Sequence, residues 1–414
     1  MNKALLSVLA TRVMGIFFLV NVAGTFFVYA ADEVAAEIND VQEDVESLEL
    51  RLEKLEQKVN SPQIRPNLFN PGITAFGNFL TCAGQGYPGG IKGSVGHVHD
   101  PCISPFLLRE LELDVRASVD PWADAVAILA FEQPEPGTFE LEVEEGYFVL
   151  KKLPFFNTAP LGLKLKGGRF RVSFGRFNQI HTHDLPQTTI PLSEQRFLGG
   201  HGLIRNGLSA QMFIPTPGDN NSLAVTLEIL NGGGTNFKPV AKPIWPAGLL
   251  RLAWFWDLAP SHDLEVGFSA YAEHEEGRPG NLIQLYGSDI NYKWRPYILG
   301  DKHSFLWGSE FFVANGVDKK YAAHPMGMFT WTQYQFNQWT YLGVRYDYNQ
   351  GLTADNTHTV GTFLTYYTTE FLRLRLGYER VMEQSRWAAG RNNVLLEFNF
   401  VFGSHPVEPY WVNR

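Results

Sequence analysis

The sequence predicts an all-β fold: a transmembrane antiparallel β-barrel of about 16 strands, with an N-terminal periplasmic coiled-coil helix ahead of it. Three observations predict it. Apolar and polar residues alternate with period two along most of the chain after residue 73, the signature of strands with one apolar and one polar face. Each alternating segment is roughly ten residues long, enough to cross a bilayer when tilted. The connectors alternate between short and long, as the two rims of a membrane barrel do. Composition agrees: aromatics reach 14%, charged residues only 19%, and glycine is abundant.

The first element is a leader, residues 1–30. Lys3 and Arg12 precede the apolar run IFFLVNVAGTFFVYA, which ends in the small-residue site Val28-Tyr29-Ala30. No later segment offers about 18 consecutive apolar residues, so no transmembrane helix is expected. Loss of the leader would make a chain of net charge −9 more acidic still, which argues against nucleic acid as a partner.

Residues 31–60 form the second element. Val34, Ile38, Val41, Val45, Leu48, Leu52, Leu55 and Val59 are spaced alternately four and three apart, a coiled-coil seam. Its mixed a and d residues leave dimer and trimer both open. Pro62 and Pro66 end the helix in a linker, residues 61–72.

The barrel follows over residues 73–402, with a periplasmic tail at 403–414. Strands are expected to begin near residues 73, 106, 122, 138, 163, 206, 222, 248, 263, 282, 303, 328, 339, 358, 370 and 392. In ELELDVRASVDP, Leu111, Leu113 and Val115 oppose Glu110, Glu112 and Asp114. In YLGVRYDYN, Leu342 and Val344 oppose Arg345 and Asp347. In LRLRLGYER, the leucines oppose Arg373, Arg375 and Glu379; in VLLEFNFVF, Phe398 and Phe400 oppose Glu397 and Asn399. Open strand edges cannot face lipid, so the sheet must close. The connectors at Asp120-Pro121, 215–221, Asn337-Gln338 and 368–370 are short and assigned to the periplasmic side. Those at 81–105, 174–205 and 231–247 are long and assigned outside, while 151–162 and 133–137 break the pattern. Trp254, Trp256, Trp294, Trp339 and Tyr341 suit interfacial girdles.

The stretches LELDVRASVDPWADAVAILAFE, KLKGGRFRVSFGRFNQIHTHDLP, LYGSDINYKWRP and WTYLGVRYDYN resemble Gram-negative outer-membrane porins related to the phosphate-selective porin O/P group. The region 169–207, with FLGG and HGLIRNG, is similar to a branch described as zinc-regulated porin-like outer-membrane proteins. The resemblance spans most of residues 70–402. It implies a sixteen-stranded channel in the outer-membrane lipid, a homotrimer, with the third outer loop folded inward. The dense Lys/Arg-rich loop of a phosphate-selective site is missing, so the resemblance does not carry anion selectivity.

The chemistry-bearing residues divide into three groups. FNQIHTHDLPQ lies in the third and longest outer connector; His181, His183 and Asp184 are expected at a pore constriction. On an extended chain the H-x-H spacing turns both imidazoles to one side, so His181 and His183 could share a metal, with zinc the candidate, completed by Asp184, Glu194 or His201. Otherwise they simply line the loop, and no cofactor is required. HVHDPC places His97, His99 and Cys102 in the first outer loop; a Cys82–Cys102 disulfide is the default for an exported chain, a Cys/His metal site the alternative. Glu110, Glu112, Asp114, Glu140 and Glu142 on early strands, and Arg251, Arg345, Asp347, Arg373 and Arg375 on later ones, are expected to line a water-filled lumen with walls of opposite charge. No G-x-S-x-G, H-E-x-x-H or Walker A motif occurs, and an enzyme is not expected. The expectation is a porin for passive diffusion of small polar or ionic solutes. The alternatives are a zinc-related uptake channel and a structural tether working through the coiled coil.

Overall fold

A computed structural model describes residues 71–87, 99–133, 137–153, 156, 159–218, 220–232, 245–275, 278–296, 302–317, 321–353 and 355–403. The leader, the coiled coil, the linker up to residue 70, His97 and the tail after Gly403 lie outside the described residues.

Sixteen antiparallel strands close into one barrel. They are β1 (Gly72–Gly84), β2 (Phe106–Asp120), β3 (Ala123–Glu132) and β4 (Glu140–Leu150). Next come β5 (Lys164–Arg171), β6 (Ile204–Ile214), β7 (Asn221–Asn231) and β8 (Pro246–Ala259). Then follow β9 (His262–Glu275), β10 (Arg278–Trp294), β11 (Ser304–Asn315) and β12 (Met326–Gln335). The last four are β13 (Thr340–Gln350), β14 (Thr357–Thr369), β15 (Leu372–Glu383) and β16 (Arg391–Gly403). Each pairs with its sequence neighbours, and β1 pairs with β16 from Thr74↔Gly403 to Gly84↔Asn393, so no edge is left open. Every expected strand start lies within four residues of an observed one, the widest gap being residue 282 against Arg278.

The alternation sorts side chains as the sequence implies. Leu342 and Val344 of β13, Leu364 of β14 and Leu376 of β15 point outward and are 40–51% exposed, while Arg345 and Asp347 of β13 and Arg373 and Arg375 of β15 are buried inside. Tyr341 is a correction: it lies on the inward row at 4% exposure against Tyr367, so it belongs to the interior and not to an outer girdle.

Short turns gather at one rim. The N–H groups of Trp122 and Ala123 donate to Asp120 Oδ1 at 2.7 and 2.8 Å, and those of Trp339 and Thr340 donate to Asn337 Oδ1 at 2.9 and 3.0 Å. In each turn one side chain takes over two backbone donors that the strands leave unpaired. The rim rule has exceptions: the connector 295–303 is long at this rim, and β9 and β10 are joined across only 276–277 at the other.

β4 carries a bulge. Ile128 pairs with Glu145 and Leu129 with Val143, so Glu144 is an extra residue. Before it Leu141 and Val143 face outward; after it Phe148 does, and the inward row shifts by one. A bulge re-aims side chains, and this one delivers two consecutive carboxylates, Glu144 and Glu145, to the interior.

Candidate functional site

The connector 172–203, hereafter the strap, lies inside the barrel with most of its residues buried. It holds one short helix, α1 (Leu192–Leu198). A chain segment inside a closed sheet must satisfy its backbone groups on wall side chains, and its course is written in those bonds. Ser173 donates from N and Oγ to Glu228 of β7 at 3.2 and 2.7 Å. Gly175 N donates to Ser269 Oγ of β9 at 3.1 Å, and the N–H groups of Arg176 and Phe177 donate to Glu310 of β11 at 2.8 and 2.6 Å. The strap then reaches the opposite side, where His181 meets Glu144 of β4 and His183 meets Glu112 of β2, both at 3.1 Å.

From there the wall donates to strap carbonyls. Asn399 of β16 donates to His183 O at 2.7 Å, Arg375 of β15 to Leu185 O at 2.8 Å, and Arg345 of β13 to Thr189 O at 2.6 Å. Arg109 of β2 donates to Thr188 O. Asp347 of β13 accepts from Leu192 N at 2.9 Å, and Arg196 donates to Thr357 Oγ1 of β14 at 3.0 Å.

Apolar packing seats the same segment. Phe174, Phe177 and Phe197 join Phe312, Phe329 and Trp331 of the wall in one interior cluster. Two wall glycines make room: a Cβ on Gly287 would stand 2.7 Å from the Phe174 ring, and one on Gly327 would stand 2.5 Å from the Phe197 ring. No side chain fits at either contact, so glycine sets how closely strap and wall approach.

The expected transverse field of opposed walls is corrected by the pairing. Arg345 lies 3.0 Å from Asp347 and 2.9 Å from Glu379. Arg373 and Arg375 share Glu397 at 2.9 and 3.0 Å. Arg251 holds Asp289 at 2.7 Å and Glu265 at 3.2 Å. These guanidiniums are neutralised by acids on the same strand or one or two strands away, and a paired, buried charge projects little field. Asp114 is buried beside Arg116 at 2.7 Å. Glu140 and Glu142 stand at the exposed end of β4, Glu142 against Arg169 at 2.7 Å, outside the buried cluster.

What collects near β2 and β4 is acid. Glu110, Glu112, Glu144 and Glu145 are all buried, with Arg171 as the guanidinium in direct contact, 3.2 Å from Glu144. His181 Nδ1 is 3.1 Å from Glu144 Oε2 and 3.6 Å from Glu112 Oε2, and its Nε2 is 3.4 Å from Glu145. His183 stacks on Phe76 at 3.8 Å, and its Nε2 is 3.5 Å from Asp184. Both imidazoles turn Nδ1 toward Glu112, although Thr182–Asp184 is a 3-10 turn and not extended chain. Burial and Arg171 push the His181 pKa down, but Glu112 and Glu144 outweigh them and hold it well above the ordinary value. His183 is likewise raised, burial being overcome by Glu112 and Asp184. His201 meets Glu132 at 3.0 Å and the edge of His99 at 4.1 Å. Burial, with Glu310 nearby, raises Glu194 well above the carboxylate range; both its oxygens lack a hydrogen-bond partner among the described residues. Among the described residues Glu194 does not join the His181 cluster, whereas His201 adjoins it through Glu144, in a group with Glu132 whose ligand atoms lie within 4.8 Å of one another. Cys82 is bonded to Cys102 with Cα atoms 5.1 Å apart, so neither is a thiolate ligand.

Glu145, Arg171, Asp289 and Glu310 are interior residues that sequence reading did not select. Glu145 had a usable signal: the outward phase jumps from Leu141 and Val143 to Phe148, which marks the bulge. Glu379 and Glu397 were legible as inward rows, but their partners were not.

No family model matches the chain. A curated relative, an uncharacterised protein of Aquifex aeolicus, is 27% identical over 364 residues, covering 77% of this chain and 73% of that one. Among solved structures, the outer membrane channel DcaP of Acinetobacter baumannii is similar with a TM-score of 0.51 and 12% identity, over 80% of this chain and 96% of that one. Pseudomonas putida OprB is similar with a TM-score of 0.50 and 8% identity, over 80% and 94%. These likenesses are of fold.

Proposed function

We propose that the protein is an outer-membrane porin, a water-filled channel for passive diffusion of small polar or ionic solutes, narrowed by the strap. One observation carries this reading: a closed sixteen-stranded barrel with an apolar outer face holds a charged inner face and an inward-folded connector. Barrels of 16 to 18 strands enclose an aqueous lumen, whereas about eight strands leave only room for side chains. The strap therefore sets the bore, and His181, His183 and Asp184 lie on the part of it nearest the acidic wall. The likeness to an outer membrane channel supports the same location and role.

We further propose a homotrimer, with the heptad of residues 31–60 as one assembly element. The tether reading rests on that same segment, which lies outside the described residues.

The test is permeation. Purified protein in liposomes should admit small sugars and amino acids with a sharp size limit. Vesicles that stay impermeable to every solute tried, with the folded barrel inserted, would overturn the reading.

A further inference from the structure

The acidic cluster at the strap has donors and geometry beyond what lining a channel requires. We propose that Glu112, Glu144 and His181, with His183 beside them, form a divalent-cation site of the zinc class that staples the strap to the wall. The inference goes beyond the channel reading, because binding can be measured whether or not the barrel conducts.

The donors come from three elements. Glu112 is on β2, Glu144 is the bulge residue of β4, and His181 is on the strap. One ligand atom from each lies within 4.8 Å of the others. The separations suit a metal: 3.1 Å from His181 Nδ1 to Glu144, 3.6 Å to Glu112, and 3.1 Å from His183 Nδ1 to the same Glu112 oxygen. Metal–ligand bonds of about 2.0–2.1 Å in a tetrahedral shell place neighbouring ligand atoms about 3.3 Å apart.

A second observation is independent of that geometry. Glu112 is fully buried and, among the described residues, its Oε1 has no hydrogen-bond partner; Glu110 Oε1, also buried, has none there either. An unpaired carboxylate oxygen in a dry site is costly, and a cation relieves that cost. Charge balance points the same way. Of the four buried carboxylates Glu110, Glu112, Glu144 and Glu145, the Arg171 guanidinium touches Glu144 alone, at 3.2 Å, while Arg109 is turned to Glu397 at 3.8 Å and to Thr188 O.

The donor set selects the ion. Imidazole with carboxylate suits Zn²⁺ and its first-row neighbours, whereas Ca²⁺ and Mg²⁺ prefer all-oxygen shells. The bulge supplies the design logic: without the extra residue, Glu144 and Glu145 could not both face inward.

The experiment is calorimetric titration of ZnCl₂ into the full chain folded in detergent, with MgCl₂ as comparison. The expected result is one equivalent of Zn²⁺ per chain with no comparable Mg²⁺ binding. Glu112→Gln and His181→Ala should each weaken Zn²⁺ by at least about tenfold, while His262→Ala, far from the cluster against Tyr292, leaves it unchanged. Co²⁺ in place of Zn²⁺ should give d–d absorption that His181→Ala abolishes. Heat-modifiable migration confirms that each variant is folded. Absence of a saturable equivalent in the folded parent, or parental affinity in both Glu112→Gln and His181→Ala, would overturn the proposal.

Discussion

Replacing Arg345 by methionine probes how the strap is held. Arg345 bridges Asp347 at 3.0 Å, Glu379 at 2.9 Å and the carbonyl of Thr189 at 2.6 Å, and all three side chains are 0–2% exposed. Around it, Tyr87 donates to Glu379 at 2.6 Å, Thr189 donates to the same carboxylate, and Leu192 N donates to Asp347 at 2.9 Å. Arg345→Met leaves two buried carboxylates facing each other with no cation. Breaking a buried ion pair from one side costs about 3–5 kcal/mol. The sheet ladder holds the wall, so the loss should fall on the strap between residues 188 and 192. Unfolding in denaturant should show the full loss, and planar-bilayer recording should show larger, noisier conductance. The control removes the stranded charges: Arg345→Met with Asp347→Asn and Glu379→Gln should recover at least half of the stability, because neutralising the whole cluster is far cheaper than breaking it. If Arg345→Met costs under about 1 kcal/mol, the value of an exposed pair, and conductance is unchanged, this reasoning is wrong.

Gly327→Leu should expel Phe197 from the wall and make the strap sensitive to limited proteolysis; adding Phe197→Ala should restore part of the protection, since the two substitutions roughly exchange volume. Glu194 has a folded pKa above its unfolded value, so its stabilising contribution is complete below the unfolded value of about 4.3 and is lost as pH rises through the folded one. Glu194→Gln should therefore match the parent in denaturant midpoint at pH 4 and exceed it at pH 8; a constant offset at both would contradict the assignment. Cys82→Ala/Cys102→Ala should lower unfolding stability by about 3 kcal/mol, the loop-closure value for some twenty residues, with conductance intact; a changed conductance would mean that the bond shapes the passage as well as the first connector.

Much of the barrel was legible because period two leaves little choice: one face of each strand is apolar, as in Leu342 and Val344, and the other polar, as in Arg345 and Asp347. Segment length and connector length then gave strand number and order. The strap was legible as a long connector in the third outer position. Its path was not. Contacts with Glu228, Ser269 and Glu310, then with Glu144 and Glu112, depend on side chains from strands far apart in sequence, and no local pattern encodes that course. Ion pairing was hidden for the same reason. Arg251 finds Asp289 two strands away, past Ser269 on the strand between them, a choice set by barrel register and not by either strand's own alternation. The bulge at Glu144 was visible only as a slip in phase, and that slip decides which carboxylates face His181.

The most direct test of the central claim compares the full chain with a variant in which residues 176–200 are replaced by a short Gly/Ser linker, both recorded in planar bilayers. A channel narrowed by its strap should give discrete conductance steps in the full chain and steps several-fold larger in the shortened one. Equal steps in the two, or none in either although both barrels insert, would contradict it.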